Sequence, residues 1–161
     1  MLEPDEQRVV DDISAYGWHC TLVPEDEEGP GFSYSIGLDD THGAPELIVF
    51  GLKHKLMHTM IWQAFHQIKE GRKIEADARY LELIGDFPCI MKPVHPSWHR
   101  EYFGYALWYY RYRNKLAEFR AFQIFWPGKL DGLFPWEDGA DEYVGWCQPR
   151  LYFPKAEAGR A

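Results

Sequence analysis

Four histidines form two pairs, and within each pair the spacing is four residues: His54 with His58, and His95 with His99. On a helix, this spacing lets two imidazoles reach one metal ion. Pro96 prevents a single regular helix from carrying both His95 and His99. A metal site would therefore require the two pairs to meet in space. We expect no metal, and these four histidines are the candidate ligands if the pairs do meet.

Two further patterns approach those of nucleophilic enzymes without matching them. Residues 31–37 read Gly-x-Ser-x-Ser-x-Gly, which is two residues longer than the Gly-x-Ser-x-Gly of a nucleophile elbow. Cys20 follows His19, but neighbouring side chains on a strand point to opposite faces. The sequence also has neither a dinucleotide-binding Gly-x-Gly-x-x-Gly after a strand nor a P-loop. We therefore assign no catalytic residue.

The segment 32–38 alternates between large apolar residues and small ones, which predicts a strand with one apolar face and one small, polar face. Its small face carries Ser33, Ser35 and Gly37. Hydroxyls without bulk could approach a ligand, and they could equally allow the helix expected at 53–70 to pack there. Both interpretations stay open at this point.

The segment 122–149 combines aromatic residues with prolines and glycines. Its rings belong to Phe122, Phe125, Trp126, Phe134, Trp136, Tyr143 and Trp146. An irregular backbone is costly to order, and buried aromatic anchors can offset that cost. This segment is either a loop clamped over the sheet or the wall of an aromatic pocket or partner groove.

Helices and strands must position these groups, and the hydrophobic patterns of the sequence predict where they lie. The apolar stripes predict helices over 6–16, 53–70 and 98–116, and strands over 18–23, 32–38, 47–52, 79–84, 89–94 and 119–126. Residues 39–43 read as a turn, and 127–161 as a largely irregular aromatic-rich and Pro-rich segment. The run 47–52 is continuously apolar, as in a strand buried on both faces.

Short connections between strands favour antiparallel pairing. We expect one α+β domain spanning 1–161, with an N-terminal helix in 1–16. Its curved, mainly antiparallel sheet, open or partly closed into a barrel, would be covered by two or three helices.

The composition excludes several classes of protein. The chain has 161 residues and a formal net charge of −8. Residues 1–30 hold nine acidic residues and one basic residue, whereas residues 31–161 balance at 16 of each. This charge argues against general nucleic-acid binding. No apolar run is long enough for a membrane span and no signal peptide is recognisable, so we expect a cytoplasmic protein. The three cysteines have no Cys-x-x-Cys spacing, and we interpret them as buried or incidental thiols.

Six blocks of sequence resemble an uncharacterised, mainly bacterial family classed as a domain of unknown function. The blocks are Gly17-Trp18-His19, Tyr34-Ser35-Ile36-Gly37-Leu38, Pro45-Glu46-Leu47-Ile48-Val49-Phe50-Gly51-Leu52, Gln123-Ile124-Phe125-Trp126-Pro127, Gly132-Leu133-Phe134-Pro135-Trp136 and Gln148-Pro149. The family usually has an aspartate after Trp-Pro, where this chain has Gly128. The resemblance implies no activity, cofactor or catalytic residue.

A remoter similarity concerns residues 32–70. A small polar strand, a Pro-initiated apolar strand and a helix are similar to the start of the flavin-reductase-like split barrel. That resemblance implies flavin mononucleotide (FMN) as a cofactor. Arg79, Lys92 or Arg120 would then bind its phosphate.

We therefore expect a binding domain for a protein or a small ligand, with an aromatic-lined pocket. The expected ligand-binding residues are Ser33, Ser35, Gly37, Gln123, Trp126, Trp136 and Gln148. One alternative is a flavin-dependent oxidoreductase of the split-barrel type. Another is an immunity-type protein that neutralises a basic partner, which the acidic segment 1–30 would steer.

Overall fold

The computed structural model describes residues 1–114 and 119–158. Within them, one six-stranded sheet has the strand order β1-β2-β3-β6-β5-β4. Neighbouring strands pair antiparallel, except for the parallel pair β3 and β6. The strands are β1 His19–Val23, β2 Phe32–Ile36, β3 Glu46–Phe50, β4 Arg79–Ile84, β5 Phe87–Pro93 and β6 Ala121–Phe125.

The helices lie on both faces of this sheet. They are α1 Pro4–Tyr16, α2 Leu38–His42, α3 His54–Lys69, α4 His99–Tyr102, α5 Gly104–Tyr112, α6 Glu142–Trp146 and α7 Lys155–Ala158, with a 3₁₀ turn at Pro96–Trp98. The apolar stripe of α3 packs on one face, in a cluster that includes Leu47 and Val49. The alternate residues Ile48 and Phe50 pack on the other face with α1 and α5. All five residues of β3 are buried, which confirms the prediction of a strand covered on both sides.

The fold class is confirmed: this is an α+β structure with a mainly antiparallel sheet. The sheet is open rather than closed into a barrel, because β1 and β4 form its two edges. The barrel alternative is therefore wrong. No helix in 1–114 or 119–158 has the length and apolar composition needed to cross a bilayer.

Two local features differ from the predicted elements. The expected turn at 39–43 is the short helix α2, whose first amides are bound by the Glu46 carboxylate. The expected helix over 98–116 is interrupted at Phe103, where the backbone leaves helical geometry and the ring is fully buried. Positions 115 and 116 of that prediction lie outside the described residues.

Candidate binding cleft

The two serines of β2 lie on the face covered by α3. Ser33 pairs in register with Val49, which belongs to the cluster under that helix. The Ser35 hydroxyl donates to Glu46 Oε1 at 2.8 Å and accepts from the Leu47 amide at 2.9 Å. The Ser33 hydroxyl is fully buried and has no hydrogen-bond partner among the described residues. Small side chains here give α3 room to pack, and ligand binding by these hydroxyls stays a prediction.

Gly37 lies against helix α1. Its φ of +106° is in the left-handed region that favours glycine. A Cβ at this position would come within 2.8 Å of the Ile13 side chain. Gly37 therefore allows α1 to approach the end of β2, on the face opposite to α3.

Gln123 and Gln148 tie the C-terminal segment to the sheet. Gln148 Oε1 accepts from the Trp126 amide at 3.0 Å, and Gln148 Nε2 donates to the Trp126 carbonyl at 2.9 Å. Gln123 Nε2 donates to the Pro149 carbonyl at 2.7 Å, and its oxygen accepts from the Leu151 amide. Both glutamines are buried. These side-chain bonds satisfy backbone groups of Trp126, Pro149 and Leu151 that do not pair with a neighbouring strand.

The structure does not bring Trp126 and Trp136 together. Trp126 is buried in the cluster under α3, and its indole donates to the Phe50 carbonyl at 2.7 Å. Trp136 stacks on Phe134 and meets the edge of Phe125, whose side chain leaves β6 on the other face. The two indoles therefore belong to different environments, and a ligand-binding role for either stays a prediction.

Glu46 is a buried carboxylate to which the sequence analysis gave no role. It is fully buried, and Ser35, Tyr110 and the amides of residues 37–39 all donate to it. Burial raises its pKa to about 7, against an ordinary 4.5, although these hydrogen bonds oppose the rise. Because its donors surround it, the carboxylate acts as a structural anchor for α2. An acid directly before an apolar strand was the only sequence signal for it.

An open cleft occurs at the end of the sheet where β1 leads to β2. The connecting residues 24–31 form a turn in which Asp26 Oδ1 accepts from the amides of Glu28 and Gly29, at 2.8 and 3.2 Å. The Gly51 amide donates to the Gly31 carbonyl at 2.9 Å, which fastens the turn to the end of β3. Four consecutive acidic side chains, residues 25–28, are exposed on this turn. The turn is thus held in place while its carboxylates face water.

Helix α6 supplies the facing wall of the cleft. Gly51 has a φ of +84°, and a Cβ there would come within 2.8 Å of the Cys147 Cβ. Glycine therefore lets the end of α6 lie directly against the end of β3. As a result Tyr143 and Trp146 project outward with 59% and 57% of their surface exposed. Large exposed rings of this kind are typical of binding surfaces.

The cleft consists of two adjoining cavities that share Pro30 and Trp146. The first has a volume of about 300 Å³, and Glu25, Lys53, His54, Tyr143 and Cys147 contribute to its lining. The second has a volume of about 420 Å³, and Asp26, Glu28, Phe32, Phe50, Glu101 and Tyr102 contribute to its lining. We call the second the acidic cavity. These volumes suit a side chain or a small ligand.

The acidic cavity combines three carboxylates with aromatic rings. Glu101 Oε1 has a lysine nearby, Lys155 Nζ at 3.6 Å, and both side chains are substantially exposed, so this pair is weak. Burial, and then the charge of Glu101, raise the pKa of Tyr102 to about 12. Tyr102 therefore keeps its proton at neutral pH and adds no charge of its own. The lining therefore contains both kinds of group that attract a cation, carboxylates and aromatic rings.

A second cleft of about 500 Å³ lies between α1 and α3, beside β1. His19 Nδ1 lies 2.7 Å from Asp12 Oδ2 at this cleft, and Trp18, His58 and Trp62 also line it. Burial raises the pKa of the neighbouring Cys20 thiol to about 12. This thiol is therefore protonated at neutral pH, which agrees with leaving it unassigned as a nucleophile.

One histidine of each pair, His58 and His99, lies on an opposite face of the sheet from the other. His58 packs against Trp18 in the cluster under α3, whereas His99 stacks on Phe119 at 4.7 Å in the cluster with α5. No group of three or more potential ligands in residues 1–114 and 119–158 is placed to hold a metal ion. The pairs therefore do not form the shared site that the sequence left open.

The three basic residues considered for a flavin phosphate have different surroundings. Lys92 Nζ contacts Asp77 and lies 4.6 Å from the Trp136 ring centre. Arg120 donates to the Gly43 carbonyl at 3.1 Å. Arg79 lies on the edge strand β4 and lines a separate groove. The flavin alternative stays a prediction.

Comparison with protein families gives one match: the domain of unknown function DUF4262 matches residues 12–141. The chain belongs to this family. Neither the curated proteins nor the solved structures gave a match. The resemblance inferred from the sequence blocks is therefore confirmed at the level of the family.

The DUF4262 match covers only part of the cleft. The acidic turn, Glu101 and Tyr102 lie within residues 12–141, whereas Tyr143 and Trp146 lie beyond the matched range. The cleft therefore joins a turn inside the family domain to a helix that follows it.

Proposed function

We propose that the protein is a binding domain that takes up a cationic group, an ammonium or a guanidinium, in the acidic cavity. The observation that carries this proposal is that Trp146 lines the same cavity as Asp26 and Glu28. The expected class of function, a binding domain with aromatic anchors, is retained. The binding residues differ from those expected, because most of the latter are buried within the protein.

The physical basis is the combination of two attractions. A cation over an aromatic face within about 6 Å gains about 0.5–2 kcal/mol, depending on its desolvation. Carboxylates at the rim add attraction at short range and raise the rate of association. The acidic turn needs little ordering on binding, because Asp26 already binds two of the turn's own amides.

Isothermal titration calorimetry with N-acetyl-arginine methylamide tests the proposal. The matched ligand is N-acetyl-citrulline methylamide, which has nearly the same shape and no charge. We expect binding of the arginine compound, weakened by added salt, and much weaker binding of the citrulline compound. Equal affinity for both compounds would contradict the proposal.

Two variants test separately how much the aromatic ring and the negative charge contribute to binding. Trp146→Ala removes a largely exposed ring and should weaken binding about fivefold, corresponding to about 1 kcal/mol. Asp26→Asn removes a charge and keeps the oxygen that accepts from the turn amides, so the turn should persist. Tyr112→Ala and Asp138→Asn change an exposed ring and an exposed acid that do not line the acidic cavity. These two controls should bind as the wild type does.

A protein partner is the occupant that the charge distribution favours. Nine of the 25 acidic residues lie in the first 30 positions, and four of these nine form the exposed turn at the cleft. A concentrated negative surface attracts a basic macromolecule more strongly than a single small cation. The neutralisation of a basic partner is a proposal on this basis, and a cytoplasmic location remains a separate proposal.

A further inference from the structure

We infer that the outer edge of β1 binds an extended segment of a basic partner protein, which adds to the sheet as a further antiparallel or parallel strand. The inference rests on the proposed function for the sign of the partner's charge. Its structural basis, the state of the two sheet edges, is independent of that function.

The edge formed by β4 is protected against such pairing. Glu82 interrupts β4 with a φ of 67°, and the register of β4 with β5 shifts between Tyr80 and Ile84. Arg72 donates to the Arg79 carbonyl at 3.0 Å, and Gln67 donates to the Leu81 carbonyl at 2.9 Å. Irregular backbone, occupied carbonyls and charged side chains are ways in which proteins block an edge strand.

The edge formed by β1 lacks the irregular backbone and the occupied carbonyls of the β4 edge. Its five residues pair in unbroken register with β2, from His19 opposite Ile36 to Val23 opposite Phe32. In the described part of the chain, no side chain and no other backbone segment is hydrogen-bonded to the main chain of His19–Val23. Since amides alternate in direction along a strand, about half of those in β1 point away from β2. These groups can pair with an added strand.

The surroundings of β1 favour a basic, alternating segment. At the start of β1, Asp12 contacts His19 and Lys69 lines the same cleft, whereas the four acidic residues of the turn follow the end of the strand. On the α3 face, Leu22 is 45% exposed and Trp62 is 43% exposed. A strand places alternate side chains on opposite faces. A segment that alternates basic and apolar residues would therefore meet apolar groups on the α3 face, and the acidic turn would attract its basic residues.

A second copy of this chain is the competing occupant. Each copy has a formal net charge of −8, and four exposed acidic residues follow the end of the β1 edge. Repulsion between two such surfaces opposes edge-to-edge pairing. The charge distribution therefore favours a basic partner over self-association.

The test uses amide hydrogen exchange followed by nuclear magnetic resonance on the full chain. The probe is a short synthetic peptide of alternating lysine and valine with blocked ends. Its matched control is the same peptide N-methylated at every residue, which keeps the charge and removes the amide donors along both edges. At saturating unmodified peptide, exchange of the outward amides of β1 should slow by about tenfold or more. The methylated peptide should leave this exchange unchanged.

Protein variants locate the contact. Leu22→Ala should weaken binding of the unmodified peptide about threefold or more, because it removes an apolar contact at the edge. Leu81→Ala removes an exposed leucine from the other edge strand, where 61% of its surface is exposed. This control should leave the affinity unchanged.

The outcomes distinguish the two proposals. Equal binding of both peptides without slowed exchange in β1 would overturn the edge-pairing inference and leave the cationic cleft in place. Slowed exchange in β1 that appears with rising protein concentration alone would assign the edge to a second copy and overturn the inference. If the arginine compound fails to bind while the unmodified peptide still protects β1, then the proposed cavity is wrong and the edge inference stands.

Discussion

Glu46 makes the stability of this fold depend on pH in a direction opposite to that of most carboxylates. The perturbation is Glu46→Gln, which keeps the size of the side chain and removes its titration. In the wild type, burial raises the pKa of Glu46 to about 7, against an ordinary 4.5. The folded state therefore binds a proton more tightly than the unfolded state does. Stability from this group is fully present below about pH 4.5 and is lost as the pH rises through about 7.

The size of the effect follows from the two pKa values. Each pKa unit corresponds to about 1.36 kcal/mol, so the difference between about 7 and 4.5 corresponds to about 3 kcal/mol of unfolding free energy. Relative to protonated Glu46, glutamine costs a fixed amount of stability, because its NH₂ group must face backbone N–H groups that donate to Glu46 in the wild type. That loss is independent of pH. The informative quantity is therefore how the difference in unfolding free energy between the wild type and the variant changes with pH.

The assay is chemical denaturation of both proteins between about pH 4 and about pH 8. Across this range the wild type should lose about 3 kcal/mol of unfolding free energy relative to the variant. Tyr110→Phe provides a second check, because the Tyr110 hydroxyl donates to Glu46 and lowers its pKa. Removing it should move the transition to higher pH. Parallel curves for the wild type and Glu46→Gln would refute the reasoning.

Two further predictions use matched pairs: two buried serines that differ in their hydrogen bonds, and two tryptophans that differ in exposure. Ser33→Ala should leave the unfolding free energy unchanged or raise it by about 1 kcal/mol, because the hydroxyl is buried without a partner; a clear loss would show that it has one. Ser35→Ala should lower it by about 1–3 kcal/mol, because Ser35 bonds Glu46 and the Leu47 amide. Trp126→Ala should cost about 3–5 kcal/mol, and Trp146→Ala should cost far less, since the first indole is buried and the second is largely exposed. Thermal and chemical denaturation measure both pairs, and equal losses for the two tryptophans would contradict the assignment of Trp146 to an open cleft.

Elements with regular periodicity could be predicted from the sequence. The 3.6-residue stripe of α3 and the alternation of β2 both correspond to the buried faces that the structure shows. The continuous apolar run of β3 correctly indicated burial on both faces. Such patterns are local, because they depend only on which side of one element is buried.

The candidate site depends on contacts between distant segments, and it could not be predicted in the same way. The acidic turn and Trp146 are more than a hundred positions apart, and the approach of Cys147 to Gly51 brings them together. The burial of Glu46 likewise depends on Tyr110, 64 positions later. Composition drew attention to the acidic segment and the aromatic segment separately. Only the topology shows which acids meet which rings.

The central claim is that a cation binds in the acidic cavity against Trp146. Nuclear Overhauser measurements on the protein saturated with N-acetyl-arginine methylamide test it most directly. The account predicts contacts from the methylene protons next to the guanidinium to the rings of Trp146 and Tyr102. Contacts to Trp18 and Trp62 instead would place the cation in the cleft between α1 and α3, and would contradict the account.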